Sequence, residues 1–305
     1  MEHKENDDIL IWPEESVPSR ESAVKWQDPG SNICLDFHGD PVRPQLAVFS
    51  DGNHHMALQE ALDLFVAQKP GLERVFYATT PPGPIVKLLK TGALKLGNLV
   101  ISTVPDVFIS PPHILNDLVQ EGYMNSHQPF IRNQGNVLLV RKGNPRGISG
   151  IQDLDRPGVC IFLSNPETER ASYSAYISTL RSLAEDRGMD PGFVDKKREA
   201  GEVVFGRCVH HREAPRAVAV GKADAAIVFY HLGLRYIRIF PDTFHLVPLG
   251  GSPEHPRPWP GNVTGATHMG TVGQGGAWGE ELISFLSSES ALDIYRYHGL
   301  LPAES

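Results

Sequence analysis

The chain has 305 residues, 41% hydrophobic and 21% charged, the composition of an ordinary folded protein long enough for two domains. Its formal net charge of −8 argues against the basic face that a nucleic-acid partner needs, and it has no run of about 18 apolar residues for a membrane span. Three cysteines, Cys34, Cys160 and Cys208, are too few and too scattered for a disulfide scaffold and suit a reducing compartment.

Residues 1–44 are polar and interrupted by Pro13, Pro18, Pro29, Pro41 and Pro44, which predicts an irregular N-terminal extension with one strand-like segment, Ile33–Phe37. The first eight residues are acidic and lack the apolar core of a secretory signal. The expected location is therefore cytoplasmic for the chain as sequenced, and periplasmic or secreted only if a leader was removed.

From Gln45 strands and helices alternate. Strand Leu46–Phe49 leads through Ser50-Asp51-Gly52-Asn53-His54 into helix His55–Phe65, and strand Arg74–Ala78 leads through Thr79, Thr80 and three prolines into helix Ile85–Thr91. Leu99–Ser102 is a short apolar segment, followed by strand Val107–Ser110 and helix Ile114–Glu121. A second set follows: strand Asn136–Val140, a helical turn at Ile148–Leu154, strand Val159–Leu163, helix Thr168–Arg187, strand Glu202–Phe205, helix Glu213–Val220 and strand Ala225–Phe229. After a loop at 240–245 come Leu246–Leu249, a Gly- and Pro-rich stretch at 250–276, and helices Trp278–Ser287 and Ala291–Tyr297. This alternation predicts an α/β protein with mostly parallel strands.

The turn after the first strand carries His54 and His55 at a helix N-terminus, where unpaired N–H groups favour anions and neutral imidazoles favour transition metals. His210 and His211 form a similar pair before the helix that starts near Glu213, and His113 follows Pro111-Pro112 after the Val107–Ser110 strand. The expected metal ligands are His54, His55, His210 and His211. No His-x-x-x-His or Cys-x-x-Cys pair, P-loop or G-x-S-x-G elbow is present, so a zinc scaffold and a catalytic role are not expected.

Six segments in order resemble the periplasmic molybdate/tungstate-binding proteins and, more broadly, the type II solute-binding protein fold. They are Pro105–Ser110, Val140–Pro145, Asn165-Pro166-Glu167, Gly221–Phe229, Phe285–Ser287 and Tyr297–Leu300. The resemblance runs from about Gln45 to Leu300. It implies a two-lobed α/β protein, each lobe a mixed, mostly parallel sheet flanked by helices, joined by two crossover strands. Lobe one would be residues 45–136 plus 246–305, lobe two 137–245, and a small ligand would sit in the cleft between them.

The resemblance also implies a set of ligand contacts. That family holds a tetrahedral oxyanion with hydroxyls, backbone N–H groups and a tyrosine. Its first-loop serine falls on Asn53 here, and its second-loop serines fall on Pro81-Pro82-Gly83, leaving Thr79 and Thr80 as hydroxyls and Gly83 as an N–H donor. The lobe-two donors fall on Ala171 and His211, and the tyrosine on Phe229 with Tyr230 beside it. The implied function is non-catalytic capture of a divalent metal ion or a molybdate- or tungstate-like oxyanion by hinge closure. The alternatives are a thiamin-pyrimidine-synthase-like enzyme on the same fold and a ligand-sensing regulatory subunit. The partners implied are a small ligand, no nucleic acid and no direct membrane insertion, with a transporter not expected in the absence of a signal peptide.

Overall fold

The computed structural model describes residues 36–51, 54–80, 82–96, 99–207 and 210–303. They fall into two compact units. The first runs to Asn133 and resumes at Gly265, and the second is Gln134–Thr264.

The first unit opens with strands β1 (Asp36–Gly39) and β2 (Leu46–Ser50), helix α1 (His55–Ala67), strand β3 (Val75–Thr79) and helix α2 (Pro82–Thr91). A hairpin, β4 (Leu94–Leu96) and β5 (Leu99–Ile101), precedes strand β6 (Val107–Ser110), helix α3 (Pro112–Gln120) and strand β7 (Gln128–Arg132). The second unit starts with strand β8 (Asn136–Arg141), a short turn of helix (Ile151–Asp155), strand β9 (Ile161–Leu163) and helices α4 (Arg170–Asp186) and α5 (Phe193–Glu199). Strand β10 (Val203–Phe205), helix α6 (His210–Ala219), strand β11 (Ala225–Phe229), helix α7 (Tyr230–Ile239) and strand β12 (Phe244–Pro248) complete it. The first unit then closes with strand β13 (Ala266–Thr271), helices α8 (Gly279–Leu286) and α9 (Glu289–Tyr297) and strand β14 (Leu301–Pro302).

Each unit is built on one main sheet. The first has the order β1-β3-β2-β6-β13-β7-β14 and the second β10-β9-β11-β8-β12. Only β3-β2-β6 and β10-β9-β11 are parallel, and every other pairing in these two sheets is antiparallel. The sheets are therefore mixed, as expected, but not mostly parallel. The parallel strands are the ones whose connections run through crossover helices, whereas β1, β13, β14 and β8 run against them, and β7 and β12 run with them but pair only with reversed strands.

The first sheet is covered on both faces, and side chains along its strands alternate between the two cores. Val48 and Ile109 join the core made with Leu58, Phe65, Leu282 and Tyr295 from α1, α8 and α9. Phe49 and Phe108 join the core made with Ile85, Leu88, Leu115 and Leu118 from α2 and α3.

Three expectations shift. The return to the first unit falls at Thr264/Gly265 rather than at 246, because β12 pairs along its whole length with β8. The outward crossing at Asn133/Gln134 lies within a few residues of the expected 136/137. In the N-terminal extension the strand expected at Ile33–Phe37 is described at Asp36–Gly39, where β1 pairs antiparallel with β3, while residues 1–35 lie outside the described residues.

Candidate functional site

In the first unit three parallel strands end side by side. Ser50 pairs in register with Thr79 on one side and Ile109 on the other, so Ser50, Thr79 and Ser110 mark one edge, and the Thr80 N–H donates to Ser50 O at 2.9 Å. Helices α1, α2 and α3 each begin within a few residues of that edge. None of the three has an acidic residue in its first turn, and neither α1 nor α3 has a side chain capping it. Uncapped N–H groups with the positive end of the helix dipole make such an edge receptive to anions.

The side chains there are donors held away from water. Thr79 and Thr80 are each 2% exposed and Ser110 is fully buried, and none of their hydroxyls has a hydrogen-bond partner among the described residues. A buried polar atom left unsatisfied costs about 1–3 kcal/mol, so three at one edge call for a guest.

His54 is part of the framework of this edge. It is 1% exposed, with Nε2 2.9 Å from Ser50 Oγ and 3.5 Å from Asp51 Oδ1, and Nδ1 3.4 Å from the Tyr295 hydroxyl. Both ring nitrogens are engaged. His55 is buried in the first turn of α1, a Cβ on Gly83 in α2 would meet nothing within 4 Å, and Asn53 lies outside the described residues. His113 is exposed on α3. A pair that sequence spacing left unassigned also forms near Ser110. His268, in register with Ser110, has Nδ1 2.9 Å from His127 Nδ1, and His127 Nε2 lies 3.0 Å from Asn116 Oδ1.

The second unit has an equivalent edge of different chemistry, where β9, β10 and β11 end at Leu163, Phe205 and Phe229. Asn165 Oδ1 accepts the N–H groups of Glu167 and Thr168 at 2.8 and 3.2 Å, and Asn165 Nδ2 donates to Gly206 O. Glu169 Oε1 accepts the His210 N–H at 2.9 Å, and both carboxylate oxygens of Glu213 accept the Arg207 N–H.

The His210 ring is buried, and its Nε2 lies 3.0 Å from Ile227 O. A carbonyl only accepts, so Nε2 carries the hydrogen and Nδ1 is a bare acceptor with no hydrogen-bond partner among the described residues. Burial pushes this imidazole down to about 4, so it is neutral at physiological pH. Burial pushes the Glu169 carboxyl up to about 7, opposed by the His210 N–H and reinforced by the Glu213 charge.

The remaining expected contacts are dispersed. Ala171 is exposed in α4, and His211 is half-buried with its carbonyl accepting from the Tyr236 hydroxyl. Phe229 packs against Tyr176 and His231, and Tyr230 donates its hydroxyl proton to Pro253 O at 2.7 Å. His210 is thus a buried ring near Tyr176 and Phe162 rather than an exposed metal ligand. Among the described residues, no group of three or more His, Cys, Asp or Glu side chains is arranged to hold a metal ion.

Sequence reasoning missed Ser110, Ser164 and Glu169. Ser110 closes a quoted strand motif, and Ser164 and Glu169 flank the Asn165-Pro166-Glu167 turn, so position along the strand–helix pattern was the available signal.

The family model for bacterial extracellular solute-binding proteins matches residues 46–301. The chain belongs to that family. Membership makes it a solute-binding protein and not an enzyme, on the two-unit α/β fold just described. Among solved structures it is similar to the periplasmic molybdate-binding protein of Azotobacter vinelandii, at 17% identity and a TM-score of 0.59 over 85% of this chain and 100% of that one. The sulfate-binding protein SubI of Mycobacterium tuberculosis is 17% identical at a TM-score of 0.58, covering 85% of this chain and 86% of that one. Peb3 of Campylobacter jejuni is 18% identical at the same score, covering 85% and 100%. No curated protein sequence matches significantly. Among the described residues no helix is long and apolar enough to cross a membrane.

Proposed function

We propose that this solute-binding protein captures a small oxyanion at the edge of the first unit formed by Ser50, Thr79, Thr80 and Ser110. The observation that carries this reading is the set of three buried hydroxyls, on Thr79, Thr80 and Ser110, that have no hydrogen-bond partner among the described residues, beside three helices with no acidic residue in their first turns. Neutral hydroxyl and N–H donors match the oxygens of an oxyanion and are poor ligands for a transition metal cation. The His54 ring, with both nitrogens engaged by neighbouring side chains, and the buried ring of His210 support the same reading. Two structural neighbours are named for molybdate and for sulfate, which supports the same ligand class. In this reading capture proceeds by hinge closure, driven by contacts made better in the closed form.

Calorimetric titration of the full chain with molybdate, sulfate and phosphate tests the reading, with divalent zinc, nickel and copper as the opposing arm. Saturable binding of at least one oxyanion, weakened by Ser110→Ala, is the expected result. Binding of the cations alone would replace it with the metal reading.

A further inference from the structure

Two half-buried imidazoles stand beside the first unit's edge, and the geometry between them limits how many protons they carry. His127 Nδ1 lies 2.9 Å from His268 Nδ1, and His127 Nε2 lies 3.0 Å from Asn116 Oδ1. An amide oxygen only accepts, so His127 Nε2 carries a hydrogen. Two ring nitrogens in hydrogen-bond contact hold one hydrogen between them, since a second would set N–H against N–H. In the neutral pair His268 Nδ1 therefore donates to His127 Nδ1, and His268 Nε2 is without a hydrogen. One added proton fills that position and keeps every hydrogen bond. A second would break the contact between the rings. Burial, and after it the His127 charge, accordingly lowers the His268 pKa from its ordinary value of 6.5.

The pair is placed by the sheet. His268 on β13 is in register with Ser110, the last residue of β6, whose buried hydroxyl has no hydrogen-bond partner among the described residues. Residues directly opposite on antiparallel strands share a face, with Cβ atoms about 5 Å apart. Met269 and Ile109, the next pair, lie in the core on the other face, so His268 and Ser110 project to the side of α3, which carries Asn116.

We propose that the His127–His268 pair is a one-proton charge beside the first unit's oxyanion edge, so that protonating it tightens oxyanion binding at Ser110 and deprotonating it weakens that binding. This rests on the oxyanion reading above and adds a control by pH to it. The hydroxyl and N–H donors of the edge are neutral, so a cation about one strand spacing away lowers the energy of a bound anion. The coupling is reciprocal, and the bound anion favours the protonated pair.

Other charged groups on the elements packed around the pair have their own partners or keep a constant charge. Asp117 on α3 and Glu121 just after it act on Lys90, and His113 on α3 is exposed. Glu280 on α8 accepts from Thr271 Oγ1, and Glu281 pairs with Lys69. Strands β6 and β14 carry no ionisable side chain, and β7 carries Arg132, which stays charged throughout.

Sulfate and molybdate are the probes, since both stay fully ionised between about pH 6 and 8, where histidine changes charge. The proteins are the wild type, the double variant His127→Gln/His268→Gln, and His113→Gln, titrated calorimetrically at both ends of that range. From the acid to the alkaline end, affinity for whichever anion binds should fall about tenfold in the wild type and in His113→Gln, and about twofold or less in the double variant. Titrating the wild type near neutrality in buffers of different ionisation enthalpy needs no variant, and should show net proton uptake of at most one per anion bound. Wild-type affinity that ignores pH, binding without proton uptake, a pH dependence kept in the double variant, or one lost in His113→Gln would overturn the role of the pair while leaving the oxyanion reading in place. Absence of oxyanion binding by the wild type would overturn both.

Discussion

Asn136 and Asn262 hold each other at the place where the chain enters and leaves the second unit. The Asn136 N–H donates to Asn262 Oδ1 at 2.8 Å, and Asn262 Nδ2 donates back to Asn136 O at 2.9 Å and to Leu249 O at 3.1 Å. Asn136 Nδ2 also donates to Thr179 Oγ1, which accepts the Val263 N–H as well. Both asparagines are buried, so these bonds are shielded from water. The clasp also explains Gly135. With φ at +75° and the Asn262 side chain 2.9 Å from where a Cβ would sit, no other residue fits without strain.

Asn262→Leu should therefore destabilise the second unit by about 3 kcal/mol, since it leaves the buried Asn136 N–H without its acceptor and takes the Nδ2 donor from Asn136 O and from Leu249 O, of which Leu249 O keeps the Trp259 N–H. Gly135→Ala should cost less in an Asn262→Ala background than in the wild type, because the clash is with the removed amide. Denaturant unfolding of the wild type, Asn262→Leu and the Gly135→Ala and Asn262→Ala single and double variants gives both numbers, and strict additivity of Gly135→Ala and Asn262→Ala would show that the two positions do not interact.

Ser110→Ala and Thr79→Val separate binding from folding. These hydroxyls have no hydrogen-bond partner among the described residues, so removing them should leave the melting temperature unchanged or slightly raised. Oxyanion affinity should fall tenfold or more for each, about 1.4 kcal/mol. A melting temperature that drops with no change in affinity would assign these groups to the core instead.

His54→Ala should behave in the opposite way. A buried imidazole braced by Ser50 and Tyr295 is structural, and its removal leaves a cavity and a stranded Ser50 hydroxyl beside Asp51. The expected loss is about 2–3 kcal/mol in unfolding free energy. Divalent cations should not stabilise the wild type more than the variant, and a metal-dependent rise in melting temperature confined to the wild type would restore His54 as a ligand.

Periodicity made the outline of the fold readable, because β2 to α1 is an apolar run, a polar turn and an amphipathic helix in immediate succession. Elements that depend on distant partners were not readable. Residues 266–271 look like part of a Gly- and Pro-rich loop, yet β13 is a strand because β6 and β7 pair with it on either side. Gly233 and two arginines obscure α7, and that glycine is needed because Leu246, Val137 and Val228 crowd the place of a Cβ. The histidine pairs drew attention by residue type, but burial decides their roles, and burial is a tertiary property. Glu169 stands in no sequence pattern that marks it, because its bond to the His210 N–H joins residues 41 apart.

Glu169 and His210 pull stability in opposite directions with pH, and substituting one exposes the other. The folded-state pKa of Glu169, about 7, lies above its ordinary value of 4.5, so the fold favours the protonated carboxyl. Its contribution is fully present below about 4.5 and is lost as pH rises through about 7. His210 is lowered from 6.5 to about 4, so its neutral ring stabilises the fold above 6.5, and that contribution is lost as pH falls toward 4. Between about 5 and 6.5 the two slopes partly cancel, and the wild type should show a flat stability profile there. Glu169→Gln keeps an acceptor for the His210 N–H and cannot ionise. It should match the wild type near pH 5 and exceed it at pH 8 by roughly 2–3 kcal/mol, leaving a profile that rises with pH through the His210 range. Urea unfolding from pH 5 to pH 8 measures this directly. A variant that stays parallel to the wild type over the whole interval would mean that Glu169 is ionised throughout, and the buried proton assigned to it would have to be abandoned.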